Sequence, residues 1–255
     1  SREEYIDSDE VYLYDAKESV VMHTNKLTSE YMNYLKKIYP EYCSNIGYTR
    51  IVNMNLVRKI DDKIVPVTIN SGFSISGGFT SGTGILSSYP TQLDSNETSY
   101  LEKNYDVLAG SYPSNEKELV LVVDTQNRID LNILKALGFD TEGKESIKFT
   151  DIVGTTFKLV ANDDYYVQTA VGGYFPNSDY EAMYNSDDSV ELKIAAIVRQ
   201  KEDVEMGLLA SGIAYSDDLS QLVFNTSMES EIVKAQRDSD VNIITGEAFE
   251  EEEKE

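Results

Sequence analysis

The feature that most constrains this fold is a run of five consecutive apolar residues at 119–123, LVLVV. A strand without polar alternation buries both of its faces, which predicts a place in the interior of a sheet. The chain reaches it through a predicted turn at 108–115, with Gly110 and Pro113 as turn-forming residues. Beyond the run, Asp130 can cap a short helix. This stretch is therefore predicted to lead through a turn and a central strand into a helix.

Composition is that of a folded acidic protein. The chain has 255 residues, of which 41% are apolar, and a formal net charge of −23. Such a charge argues against nucleic acid as a partner, because phosphate binding needs clustered Lys and Arg, and it disfavours an anionic membrane surface as well. Many of the carboxylates stand in doublets or in the tail at 250–255, which indicates solvated surface. Calcium binding is the main functional alternative for them.

Histidine and cysteine are too scarce for the commonest catalytic and metal sites. His23 and Cys43 are single residues of their types, and neither lies in a nucleophile-elbow or thiol-protease pattern. Zinc sites need clustered His and Cys ligands, which the chain lacks. We therefore predict no catalytic residue and no cofactor. No apolar run approaches the roughly 18 residues of a membrane span, so we expect a soluble piece of a larger protein.

The first hundred residues combine a few regular elements with a long glycine-rich stretch. We predict a short strand at 11–14 and an amphipathic helix at 31–38, where Tyr31, Tyr34, Leu35 and Ile38 recur at helical spacing. A hairpin is predicted between 48–57 and 64–69, turning at Asp61 and Asp62. The stretch at 71–90, with five glycines, is predicted to be a loop.

The second half of the chain shows clearer patterns of apolar residues than the first. We predict a helix that Asp130 caps and Gly138 ends, a hairpin from 156–161 into 165–171 that turns at 162–164, and a buried strand at 192–198. Two helices follow. One begins at Ser216, and the other spans about 228–237 behind a capping box of Thr226 and Glu229. A short strand is predicted at 241–244. Hairpin strands outnumber helices, so the predicted fold class is α+β.

The residue types of the chain allow three kinds of ligand site to be compared with known motifs. Calcium needs several oxygens that converge from one loop, and Asp179, Asp187 and Asp188 are the candidate ligands, although no EF-hand pattern is present. The glycine-rich SGTG at 81–84 lacks the Lys-Ser or Lys-Thr that a P-loop requires. A glycosidase would need paired carboxylates in a cleft. The preferred interpretation is that the chain has no catalytic, cofactor or metal site.

From residue 100 onward the chain resembles the extracytoplasmic domain of ABC transporter permeases of the MacB/FtsX type, particularly their Firmicutes members. The resemblance is carried by short segments that together span roughly 150 residues. These are YDVLAGSYPSNEKELVLVVD (105–124), FTDIVGTTFKLVANDDYY (149–166), LKIAAIVRQKED (192–203), GIAYSDDLSQLV (212–223), IVKAQ (232–236) and ITGEAF (244–249).

The resemblance implies a domain inserted between the first two membrane helices of a permease, on the extracellular face of the membrane. It implies a membrane-proximal, porter-like α/β part at 1–70, a flexible loop at 71–98 and a strand-rich MacB-like core at 99–249, with the acidic tail at 250–255. A further strand-helix-strand unit would precede the second membrane helix.

The implied partners are a second permease copy or half and a cytoplasmic ATPase subunit, which alone hydrolyses ATP. A peptide is a possible substrate, and nucleic acid is not. The alternative from a different class is a secreted or surface-anchored adhesion or carbohydrate-binding module with a ligand groove lined by tyrosines.

Overall fold

A computed structural model describes residues 5–15, 54–67, 86–91, 98–204 and 209–248, and these form an α+β fold. The strands in this part of the chain are β1 (Glu10–Tyr14), β2 (Leu56–Ile60), β3 (Lys63–Val67), β4 (Leu86–Tyr89), β5 (Tyr105–Gly110), β6 (Glu118–Val123), β7 (Arg128–Asp130), β8 (Ser146–Lys148), β9 (Thr156–Leu159), β10 (Tyr166–Gln168), β11 (Tyr174–Pro176), β12 (Val190–Gln200) and β13 (Gly212–Ser216). The helices are α1 (Tyr100–Asn104), α2 (Leu131–Ala136), α3 (Phe149–Ile152), α4 (Asn162–Tyr165), α5 (Tyr180–Asn185), α6 (Asp217–Glu229) and α7 (Glu231–Arg237).

An eight-stranded mixed sheet forms the centre, in the order β3-β2-β9-β12-β6-β13-β4, with β5 also paired to β12. Strand β12 organises it because its eleven residues extend over about 36 Å, which is enough for two short strands end to end. One edge of β12 pairs in parallel with β6, and the other pairs antiparallel first with β9 and then with β5. A smaller sheet, β7-β1-β8, and the hairpin β10-β11 complete the strands of the described residues.

The predicted central strand is confirmed, and the two faces of β6 contribute to two different cores. Leu119, Leu121 and Val123 face the larger hydrophobic cluster, which includes residues of α2, α3 and α6. The intervening Val120 and Val122 face a smaller cluster with Tyr100 and Leu101 of α1 and Tyr105 of β5. All five residues of the run are buried. An uninterrupted apolar run is thus needed here because there is a core on each side.

Several local predictions are confirmed. Asp130 caps α2 by accepting the N–H of Asn132 at 2.9 Å, and Gly138 follows the helix with a φ of +82°. β1 lies at the predicted position, and β2 and β3 form the predicted hairpin across Asp61, whose φ is +52°. Ser216 caps α6, and Asp217 and Asp218 lie in its first turn, where the helix dipole favours carboxylates.

Three predictions near turns are wrong. Residues 108–110 belong to β5, so the predicted turn at 108–115 begins too early. The end of the glycine-rich stretch is not loop, because β4 pairs in parallel with β13. Asp163 and Asp164 do not turn β9 back into its neighbour. They lie in α4, and β10 pairs with β11 in a separate sheet while β9 pairs with β12 and β2.

Two predictions near the end are also wrong. The capping box of Thr226 and Glu229 does not form, because both residues lie inside α6, where the Thr226 hydroxyl donates to the carbonyl of Leu222. The next helix starts after Ser230, which has extended backbone angles and separates α6 from α7. The strand predicted at 241–244 reduces to a single antiparallel bridge between Val241 and Ala248. The helix predicted at 31–38 lies outside the described residues.

The α1 capping box makes stability depend on pH. The carboxylate of Glu102 accepts hydrogen bonds from the backbone N–H and the hydroxyl of Ser99, at 3.0 and 2.8 Å. The backbone bond, followed by the hydroxyl bond, lowers the pKa of Glu102 below its ordinary 4.5. A lowered pKa in the folded state stabilises the protein fully above pH 4.5, and that contribution is lost as the pH falls through the lowered value.

We therefore expect Glu102→Gln to lower the free energy of unfolding by about 0.3–1 kcal/mol at neutral pH, the usual effect of a charge at a helix start. The difference from the wild type should shrink as the pH falls through the lowered pKa. Urea unfolding from about pH 7 to about pH 2.5 measures it. In a Ser99→Ala background the same substitution should have a smaller effect. A difference that grows toward acid pH would contradict the assignment.

Candidate binding cleft around Arg199

The described residues form a shallow open cleft of about 420 Å³ at the C-terminal end of β12. Its lining is almost entirely charged, and it draws on three parts of the chain: the N-terminal segment, β5, and β12 with the turn that follows. The lining residues are Tyr5, Asp106, Arg199, Lys201, Glu202 and Asp203.

Arg199 holds the cleft together. Its Nη1 donates to the backbone carbonyl of Ile6 at 2.7 Å and to Oδ1 of Asn127 at 2.8 Å. The guanidinium carbon lies 4.7 Å from the centroid of the Tyr5 ring, a cation–π distance. One side chain thus fastens the N-terminal segment to the end of the central strand and to the turn after β6. This contact spans 193 positions of sequence.

Asn127 is the buried partner of Arg199. It is fully buried, and its φ of +57° is a conformation that Asn tolerates better than most residues. Its backbone N–H donates to the carbonyl of Asp124, and its own carbonyl accepts from Tyr12 in β1. Nδ2 of Asn127 and Nε of Arg199 are buried and have no hydrogen-bond partner among the described residues. The pair therefore keeps unused donors beside the cleft.

Charge in the cleft is mixed. The ammonium of Lys201 donates to the carbonyl of Glu102 at 2.5 Å, while Asp106, Glu202 and Asp203 are exposed. Burial raises the pKa of the Tyr5 hydroxyl. The guanidinium of Arg199 opposes that shift and the three nearby carboxylates add to it. None of the six lining residues is a His, Cys, Ser or Thr. The side chains of these residues can form hydrogen bonds and ion pairs.

Arg199→Lys should loosen this attachment. An ammonium keeps the charge but cannot reproduce the planar fork that serves Ile6 and Asn127 while stacking on Tyr5. We expect the free energy of unfolding to fall by about 1–2 kcal/mol, and backbone amides of 5–14 to exchange hydrogen faster. Urea unfolding and hydrogen exchange measure the two effects. Arg237→Lys, on an exposed position of α7, is the control and should change stability by less than about 0.5 kcal/mol. Equal effects of the two substitutions would contradict a clamp at Arg199.

The residues predicted as calcium candidates lie at the two ends of α5. Asp179 is its N-cap and accepts the N–H of Ala182 at 2.9 Å, while Asp187 and Asp188 are exposed in the turn after the helix. Within the described ranges, no group of three or more His, Cys, Asp or Glu side chains is placed to hold a metal ion. The side-chain oxygen of Asp179 accepts this N–H as an N-cap, a role for which Asp is one of the favoured residues.

The other residues singled out in the sequence are not part of the described cleft or of α5. His23, Cys43 and the SGTG segment at 81–84 lie outside the described residues. Gly110 has a φ of +80° at the end of β5, and Pro113 lies in the turn between β5 and β6. Neither Gly110 nor Pro113 is among the residues that line the Arg199 cleft.

Sequence reasoning missed Arg199, Asn127 and Tyr5 as a group. The signals in the sequence are weak. Arg199 follows the apolar strand at 192–198, and Asn127 is the last residue of the four-residue turn DTQN, which follows the apolar strand at 119–123. Neither signal indicates that the two side chains meet, because their contact depends on β6 and β12 lying side by side in parallel.

None of the helices in the described part of the chain has both the length and the apolar character that crossing a bilayer requires. Comparisons of the chain with models of protein families, with curated proteins and with solved structures found no match.

Proposed function

We propose that the chain is the extracellular domain of an ABC transporter permease of the MacB/FtsX type, a non-catalytic part that couples transport or peptide sensing to an ATPase cycle. One observation carries this proposal: four of the six segments that resemble the family supply neighbouring strands of the central sheet.

The block is built around β12, most of which lies in the segment 192–203. Segment 105–124 supplies β5 and β6, and both strands pair with β12. Segment 149–166 supplies α3, β9 and α4, and β9 pairs with the start of β12. Segment 212–223 supplies β13, which pairs with β6, and the first half of α6. The resemblance therefore follows a contiguous structural unit.

The Arg199 cleft fits a domain that transmits movement. A domain that transmits movement needs segments that are firmly attached to one another. Residues 5–14 are attached twice: β1 lies between β7 and β8, and Arg199 holds the segment just before it. A force on this segment would reach β12 directly through Arg199 and would also pass through β1 to β7 and β8.

This proposal places the domain on the extracellular face of the membrane. Its partners would be a second permease copy or half and a cytoplasmic ATPase subunit, with a peptide as a possible substrate. The domain itself would need no cofactor, because ATP would be hydrolysed on the other subunit.

Labelling of intact cells tests the proposal. The full-length product of the parent gene would carry Cys43→Ala, to remove the single cysteine of these residues, and Val171→Cys, at a position that is 93% exposed. We expect a membrane-impermeant maleimide to label Val171→Cys in intact cells, and an ATPase subunit to copurify with the solubilised protein. The background carrying only Cys43→Ala is the control. Labelling that requires lysed cells, or flanking sequence without membrane helices, would overturn the proposal.

The alternative of an adhesion or carbohydrate-binding module stays a prediction. It expects exposed tyrosines along a groove, whereas Tyr165, Tyr180 and Tyr184 are half-buried and pack around Met183. A glycan array with the purified chain separates the two functions, since a transporter domain should show no sugar preference.

A further inference from the structure

We draw no further inference here: the strongest candidate, the exposed apolar face of the β10-β11 hairpin at Val167 and Phe175, carries none because nothing in the described part of the chain shows what covers it.

Discussion

Gly110→Ala is expected to lower the free energy of unfolding by about 2–5 kcal/mol. Gly110 ends β5 with a φ of +80°, where any side chain costs about 1–2 kcal/mol. A Cβ at this position would also lie 2.0 Å from the carbonyl oxygen of Ala195, far inside van der Waals contact. That oxygen cannot simply move away, because it accepts the N–H of Ser111 at 3.1 Å. Either β5 or β12 must shift, at a further cost of about 1–3 kcal/mol.

Gly154→Ala is the matched control for this prediction. Gly154 has a similar φ of +90°, but a Cβ there would meet no atom within 4 Å. Its cost should therefore be the conformational one alone, about 1–2 kcal/mol. Chemical denaturation of the three proteins, with equal m-values as the sign of unchanged two-state unfolding, measures the difference. Equal losses for the two substitutions would show that the approach of Ala195 to Gly110 does not constrain the fold.

Phe157→Ala is expected to cost about 3–5 kcal/mol, the usual loss when a buried phenylalanine is truncated. Phe157 lies in β9, is 1% exposed and belongs to the larger hydrophobic cluster. The guanidinium of Arg58 lies 5.9 Å from its ring, and the same guanidinium donates to the carbonyl of Leu137 at 2.9 Å. The cavity would open between the sheet and the helices, where packed strands on both sides limit collapse.

Phe175→Ala provides the comparison for Phe157→Ala with the same chemical change. Because Phe175 is on the outer face of the β10-β11 hairpin, its truncation should change the free energy of unfolding by less than about 1 kcal/mol. Thermal and urea unfolding measure both. A loss at Phe175 as large as the loss at Phe157 would contradict the assignment of Phe175 to a solvent-facing surface.

The elements that sequence predicted correctly are those whose causes are local. The run at 119–123 had to be central because each of its faces is apolar. Asp130 and Ser216 were identified as helix caps because their side chains satisfy N–H groups only two or three positions away. The β2-β3 hairpin followed from two short strands around Asp61 and Asp62, in which a tight turn makes the pairing nearly unavoidable.

The wrong predictions concern competition between local and distant partners. Strand β4 comes from a segment whose composition indicated loop, and it is ordered by pairing with β13, more than 120 positions away. The doublet of Asp163 and Asp164 favours a hairpin turn only through its local sequence. In the structure β9 pairs instead with β12 and β2, and α4 directs the chain into a separate hairpin.

Sequence alone determined the fold class, the central strand, the main helix starts and the acidic character that argues against nucleic acid. Each of these follows from residue type at short spacing, since periodicity, capping and charge are local properties. The tertiary structure decided which strands share the long β12, that Arg199 meets Asn127 and the N-terminal segment, and that Val167 and Phe175 lie opposite each other on the β10-β11 hairpin. These features depend on contacts between residues that are distant in sequence. Bringing such residues together lowers the entropy of the chain, and this loss is offset only when the whole sheet assembles.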